Sequence, residues 1–139
     1  MVKDAEKRLN QISKLDRLIE RTLEQLNMWR NRIESSGYMS SGERVQSSAD
    51  LHRSESMIAF YIDYESECRR KIELYSYERA EIIKMIEALE NTEYDVIYMS
   101  YVDGLLRYEI ADKLGKSESL VAKAKKSGLE QIQQMMEGN

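Results

Sequence analysis

The feature that most constrains the fold is the complete absence of proline from a chain of 139 residues with only six glycines. Proline is the residue that most strongly interrupts a helix, so a chain without it can form long uninterrupted helices. From residue 12 onward, apolar positions recur after three and four residues in turn, which predicts a helix with one apolar seam. That seam comprises Ile12, Leu15, Ile19, Thr22, Leu26, Trp29 and Ile33.

A second long helix is predicted to begin at Ser47 or Ser48, either of which can cap it. It follows a connection at residues 35–48 that holds six serines and two glycines. Its seam comprises Ile58, Tyr61, Cys68, Ile72, Tyr75, Ile82, Ile86 and Leu89, and is interrupted by Glu65 and Arg79. One seam cannot bury itself, so the two helices pair as an antiparallel coiled-coil hairpin or with a second copy of the chain.

The pattern changes at Asn91–Thr92, where three shorter helices are predicted to begin. Thr92 would cap the first, at residues 93–102, and Asp103–Gly104 would end it. The second covers about residues 107–114, and Gly115 ends it; the third follows the cap Ser117 and runs towards Met136. The predicted fold is therefore all-α, with a two-helix arm at residues 1–90 and a helix-turn-helix domain at residues 91–139.

Three residues at the turn have the types that a helix-turn-helix requires. Ala111 is small where the second helix crosses the first, Gly115 permits the turn, and Val121 closes the core between them. The neighbouring core positions are assigned to Ile110, Leu114, Leu120 and Ala124. The helix after Ser117, at residues 117–128, is then the predicted recognition helix.

The chain has a net charge of −4, so any attraction to nucleic acid must be local. Residues 116–128 hold four lysines and one glutamate, a charge of +3. Lysines there can reach phosphates, and the first exposed positions of the helix are placed to meet base edges. The candidate DNA-binding residues are Arg107, Lys116, Ser117, Glu118, Ser119, Ala122, Lys123, Lys125 and Lys126. The alternative interpretation is a solvated basic face on a structural helix.

Enzyme activity is not predicted. His52 and Cys68 are the only histidine and cysteine, and neither has partners at catalytic or metal-binding spacing. No glycine-rich phosphate loop occurs, and no cofactor or metal is expected. The charged N-terminus is unlike a signal peptide, and no stretch is apolar enough for a membrane span, which predicts a cytoplasmic protein of a bacterial cell.

The segment at residues 93–132 resembles region four of bacterial sigma factors. The motif is an apolar helix ending YVDGL, followed by EIADKLGKSESLVAKAKKSGLEQI. The matching residues are Tyr101, Gly104, Leu105, Glu109, Ile110, Ala111, Leu114, Gly115, Ser117, Val121 and Leu129. The resemblance implies duplex DNA as the partner, although lysines stand where that module usually carries arginines.

The layout of the whole chain is similar to the ArpU/RinA-type regulators of phage late genes. The likeness rests on the order of the helices and on the string at residues 44–48, RVQSS. It implies a transcriptional regulator that acts beside RNA polymerase. We expect the arm to mediate homo-oligomerisation or contact with polymerase, and a dimer is favoured because one small module gives limited affinity for DNA.

Two alternatives stay open at this point. The first is a DNA-packaging recognition subunit of a phage, which also joins a helix-turn-helix to helical oligomerisation segments but assembles into a ring. The second is an adaptor that binds RNA polymerase or a sigma factor and never contacts DNA.

Overall fold

The computed structural model describes residues 2–35 and 48–138, with the backbone alone for residues 48–51. The helices are α1 (Lys3–Ser35), α2 (Ser48–Glu87), α3 (Asn91–Tyr101), α4 (Arg107–Leu114) and α5 (Glu118–Glu137). The described residues contain no strand, so the all-α prediction is confirmed. The predicted serine-rich connection lies outside the described residues except for Ser35 and Ser48, which end α1 and begin α2.

Two compact units divide the chain, Met1–Asp16 with Ser76–Asn139, and Arg17–Tyr75. This division cuts across both long helices, whereas the predicted boundary at residue 90 follows the end of a helix. None of the described helices combines the length and the apolar character needed to cross a bilayer.

In the first unit, the start of α1 and the end of α2 contribute to the buried core. Its fully buried residues include Leu9, Ile12, Ile82, Ile86 and Ile132. Arg79, which interrupts the seam of α2, donates from Nε to Oδ1 of Asp16 at 2.6 Å. This polar break is therefore satisfied within the chain.

A hydrogen bond connects the first turn of α1 to α5. The backbone N–H of Ala5 donates to Oε1 of Gln133 at 2.9 Å, in a buried position. The first four N–H groups of a helix have no acceptor within the helix itself, so Gln133 supplies one from a distant part of the sequence. Its amide nitrogen donates in turn to Oε1 of Glu137 at 2.9 Å.

We expect Gln133→Met to lower the free energy of unfolding by about 1–2 kcal/mol, because the buried N–H of Ala5 loses its acceptor. Urea denaturation would measure the difference. The matched control is Gln134→Met on the exposed side of α5, which should stay within about 0.5 kcal/mol of wild type. Equal stabilities for the two variants would contradict the role assigned to Gln133.

In the second unit, aromatic side chains pair the two helical segments. Trp29 makes edge-to-face contacts with Phe60 at 5.2 Å and Tyr64 at 6.4 Å between ring centroids. The side chains of Ile33 and Cys68 are buried. The helices thus pair within one chain in this unit, while coiled-coil packing and a dimer stay predictions.

The start of α3 differs from the prediction. Thr92 is not the cap: the helix begins at Asn91, because the N–H of Tyr94 bonds to the carbonyl oxygen of Glu90 at 3.4 Å. Asn91 has φ 55°, a left-handed conformation that asparagine adopts more readily than most residues. The chain therefore turns at Asn91 rather than after it.

Candidate nucleic-acid interface

The turn between α4 and α5 has the predicted geometry. Gly115 lies in the left-handed region at φ 64° and ψ 37°. The N–H of Lys116 bonds to the carbonyl oxygen of Ala111 at 3.0 Å, and that of Gly115 to the oxygen of Asp112 at 3.3 Å. This pair of bonds is a Schellman motif, in which glycine avoids the steric cost of the left-handed conformation. The LGKS segment thus ends α4 and leads directly into α5.

Ser117 caps α5, as predicted. Its Oγ accepts a hydrogen bond from the N–H of Leu120 at 3.1 Å, and its extended backbone leads into the first turn. The cap satisfies one of the N–H groups that the helix leaves without an acceptor. The first exposed residues of α5 are therefore presented on a fixed helical turn.

The core beneath the turn contains all but one of the predicted residues, together with Val96, Met99 and Leu105, which were not predicted to lie in it. The buried cluster comprises Val96, Ile110, Ala111, Val121 and Ala124, with Met99, Leu105 and Leu114 packed against it. Leu120, however, is 42% exposed, so its assignment to the core was wrong. One residue turns an α-helix by about 100°, which places Leu120 at the edge of the face that Val121 buries.

Most of the predicted DNA-binding residues lie on the exposed side of the helix-turn-helix. Those exposed are Arg107, Lys116, Ser117, Glu118, Ser119, Lys123 and Lys126. Lys116 is close to α3, with its Nζ 3.4 Å from Oγ1 of Thr92. Ala122 and Lys125 are half-buried. The turn before α5 and the first half of the helix therefore present three exposed lysines, with Ser117, Glu118 and Ser119 following the first of them.

Lys125 has a different environment from the other lysines. Its Nζ lies 5.3 Å from the centroid of the Tyr101 ring, within the range of a cation–π interaction. Both residues line a cavity of about 400 Å³ that also includes Glu6 of α1 and Arg107 at the start of α4. Lys125 thus packs on the ring of Tyr101 while keeping a positive charge on α5.

Burial, with the Glu6 carboxylate as the second cause, raises the pKa of Tyr101 to about 12 from the ordinary 10.0. In the unfolded chain the hydroxyl of Tyr101 loses its proton near pH 10. The contribution of the raised pKa to the free energy of unfolding is therefore fully present below pH 10 and is lost as the pH rises towards 12. We expect the urea midpoint of the wild type to fall more steeply over this interval than that of Tyr101→Phe. Parallel pH profiles for the two proteins would contradict this expectation.

One polar contact between α3 and α5, extended by a bond within α5, could not be read from the pattern of the sequence. Oγ of Ser127 donates to Oε1 of Glu93 at 3.2 Å, and accepts from Nε2 of Gln131 at 3.3 Å. The Ser127–Glu93 bond connects α5 to α3, and the Lys116–Thr92 contact connects the turn before α5 to α3. No group of acidic, histidine or cysteine side chains in the described ranges could hold a metal ion.

Comparison with known proteins gives one finding for this region. A family described as Sigma-70, region 4, matches residues 79–132. No curated protein and no solved structure matches the chain. The match confirms the sigma-region-four resemblance and begins earlier than predicted, within the last turns of α2, where Ile82 and Ile86 are buried. It does not extend to the ArpU/RinA resemblance, which stays a prediction.

Proposed function

We propose that this chain is a sequence-specific, duplex-DNA-binding transcriptional regulator of the phage or prophage ArpU/RinA type. It reads DNA with the start of α5, at residues 117–128. The observation that carries the proposal is the exposed, basic start of a helix held on a sigma-region-four-like helix-turn-helix. An α-helix with its side chains is narrow enough to fit the major groove of B-form DNA.

Electrostatics support a local contact rather than a general attraction. The chain is net negative, yet Lys116 in the turn and Lys123 and Lys126 on α5 are all exposed. Such lysines neutralise phosphates and release counterions, which makes binding dependent on salt. The acidic remainder of the chain limits non-specific binding, so the exposed face of α5 has to provide most of the attraction.

The exposed side chains divide into two roles. Lys116, Lys123 and Lys126 bind phosphates and set the register, and Arg107 extends the basic surface to the start of α4. Ser119 donates to or accepts from a base edge, and Glu118 accepts from the amino group of cytosine. Ala122 permits close approach of the backbone, and Lys125 adds charge from its position against Tyr101.

Self-association through the second unit would give the regulator two DNA-binding modules. Four large apolar side chains of this unit are at least 45% exposed: Leu23, Phe60, Ile62 and Leu74. Packing against a second copy of the chain would remove these side chains from water. A dimer would bind two half-sites, and RNA polymerase in the bacterial cytoplasm is the further partner that a sigma-like domain favours.

The test is selection of duplexes from a random library by the full chain, followed by fluorescence anisotropy with the enriched duplex and a scrambled one. A regulator should prefer the enriched sequence by at least about a thousandfold. Equal affinity for both duplexes, or no binding at low salt, would overturn the proposal. A ring of many subunits by light scattering would favour the packaging subunit, whereas binding to polymerase without DNA would favour the adaptor.

A further inference from the structure

Leu120 is an exposed apolar side chain on the first turn of α5, where the other exposed residues of the helix are polar. It is 42% exposed, although the remaining apolar residues on this part of α5 are buried or half-buried. Lys116 lies four positions before Leu120, Ser119 lies one position before it, and Lys123 lies three positions after it. All three side chains are exposed. Residues three apart share one side of a helix, so Leu120 and Lys123 lie on the same side of α5, while Ser119 is the adjacent residue on the first turn and Lys116 lies in the turn before the helix.

The surroundings of Leu120 indicate what kind of partner would cover it. A single exposed leucine is ordinary on a protein surface and needs no partner of its own. Lys123 on the same side of α5, with Lys116 in the preceding turn and Lys126 further along the helix, makes a polyanion the complementary partner. An apolar protein surface would have to desolvate those lysines without a counter-charge. Duplex DNA satisfies the lysines and can still offer an apolar group to Leu120.

Only one base presents an apolar group in the major groove, namely thymine through its C5-methyl group. Adenine, guanine and cytosine present donors and acceptors there, which a leucine side chain cannot satisfy. Leu120 lies three residues after the cap Ser117, within the first turn of α5, and it is in this part of a recognition helix that base edges are met.

We propose that Leu120 is a specificity-determining residue that contacts the C5-methyl group of a thymine. The preferred DNA sequence therefore contains an A·T pair, with thymine on the strand nearest Leu120, at one fixed position. This inference rests on the proposed function, since it requires that the start of α5 enters the major groove. It adds the identity of one base to a surface whose other contacts are polar.

The experiment uses the duplex enriched by the full chain from a random library, with each thymine replaced in turn by uracil. Uracil lacks only the methyl group, so pairing and the other groove atoms are preserved. The wild type should bind about fourfold more weakly at one thymine, the effect of one methyl group returned to water. Leu120→Ala should bind the unmodified duplex more weakly and lose its sensitivity to uracil at that position.

A second substitution separates the methyl group from the rest of the base pair. Cytosine placed at the sensitive position should weaken binding by the wild type, and 5-methylcytosine should recover about fourfold of the loss. Leu120→Ala should not distinguish the two cytosines. Leu106→Ala is the matched control, since it truncates an exposed leucine outside α5, and it should keep the full response to uracil.

The outcomes are distinct. If an enriched duplex binds specifically but no thymine responds to uracil, or if Leu120→Ala responds like the wild type, the role of Leu120 is wrong and the regulator proposal stands. If no duplex is enriched at all, both proposals fail. Because the side chain of Leu120 is exposed, its removal should leave the circular dichroism spectrum and melting temperature close to wild type.

Discussion

Gly128→Val is expected to destabilise the helix-turn-helix domain by about 3 kcal/mol or more. A Cβ atom at Gly128 would lie 2.6 Å from Cγ1 and 3.1 Å from Cδ1 of Ile97, and 3.6 Å from Cδ1 of Leu89. Cγ1 is close to the backbone of α3 and cannot swing away as the end of a flexible chain could. Valine would thus force α3 and α5 apart, where Ile97 is now fully buried.

Thermal denaturation followed at 222 nm would measure the effect. For a domain of about 60–100 residues, a loss of about 3 kcal/mol corresponds to a decrease in Tm of about 12–24 °C. Gln134→Val places the same β-branched side chain on the exposed side of α5 and should change Tm by only a few degrees. A Tm for Gly128→Val as high as that of the control would mean that the helices do not approach so closely.

A double-mutant cycle tests the contact itself. Ile97→Ala alone should cost about 2–5 kcal/mol because it leaves a cavity. With that space available, Gly128→Ala should be tolerated. The loss in the free energy of unfolding of the double variant should therefore be about 1–2 kcal/mol smaller than the sum of the losses in the two single variants. Strict additivity would contradict direct packing of Gly128 on Ile97.

The second large effect concerns DNA affinity. Lys123→Ala/Lys126→Ala removes two of the exposed charges on α5 and should weaken binding to the enriched duplex about thirtyfold at about 0.15 M salt. The cause is the loss of two phosphate contacts, each of which contributes about 0.9 to the slope of log K against log salt. The slope should therefore become shallower by about 1.8, and the two curves should converge near 1 M salt.

Lys3→Ala/Lys14→Ala is the matched control, since it changes the net charge equally at two exposed positions of α1. It should leave the slope within about 0.3 of wild type, because distant exposed charges are screened at these salt concentrations. Should both double variants reduce the slope equally, the attraction would depend on overall charge rather than on α5.

The local features of the helix-turn-helix could be predicted because each depends on a few neighbouring residues. Arg107 and Leu114 bound α4 as predicted, Gly115 adopts the left-handed conformation, and Ser117 caps α5. A turn glycine and a serine cap have a strong conformational preference of their own, which tertiary contacts reinforce. The same argument accounts for the buried positions of Val121 and Ala124.

Features that depend on distant partners could not be predicted. The Ala5–Gln133 hydrogen bond joins residues 128 positions apart, and a seven-residue repeat does not indicate which helix lies opposite which. Leu120 was assigned inward because periodicity treats all leucines alike, although it lies at the edge of the buried face. Gly128 carries a sequence signal of the close packing of α5: a glycine inside a helix is less favourable than alanine by about 1 kcal/mol, and it often stands where another element approaches closely.

The most direct test of the central claim is a titration of the ¹⁵N-labelled full chain with the enriched duplex, followed by amide chemical shifts. The account predicts the largest changes at residues 116–126 of α5, including the amides of Ser119, Leu120 and Lys123, with much smaller changes in Arg17–Tyr75. A scrambled duplex should shift the lysine-rich surface only weakly. Shifts confined to the second unit, or none in α5 at saturating DNA, would contradict the claim that α5 reads DNA.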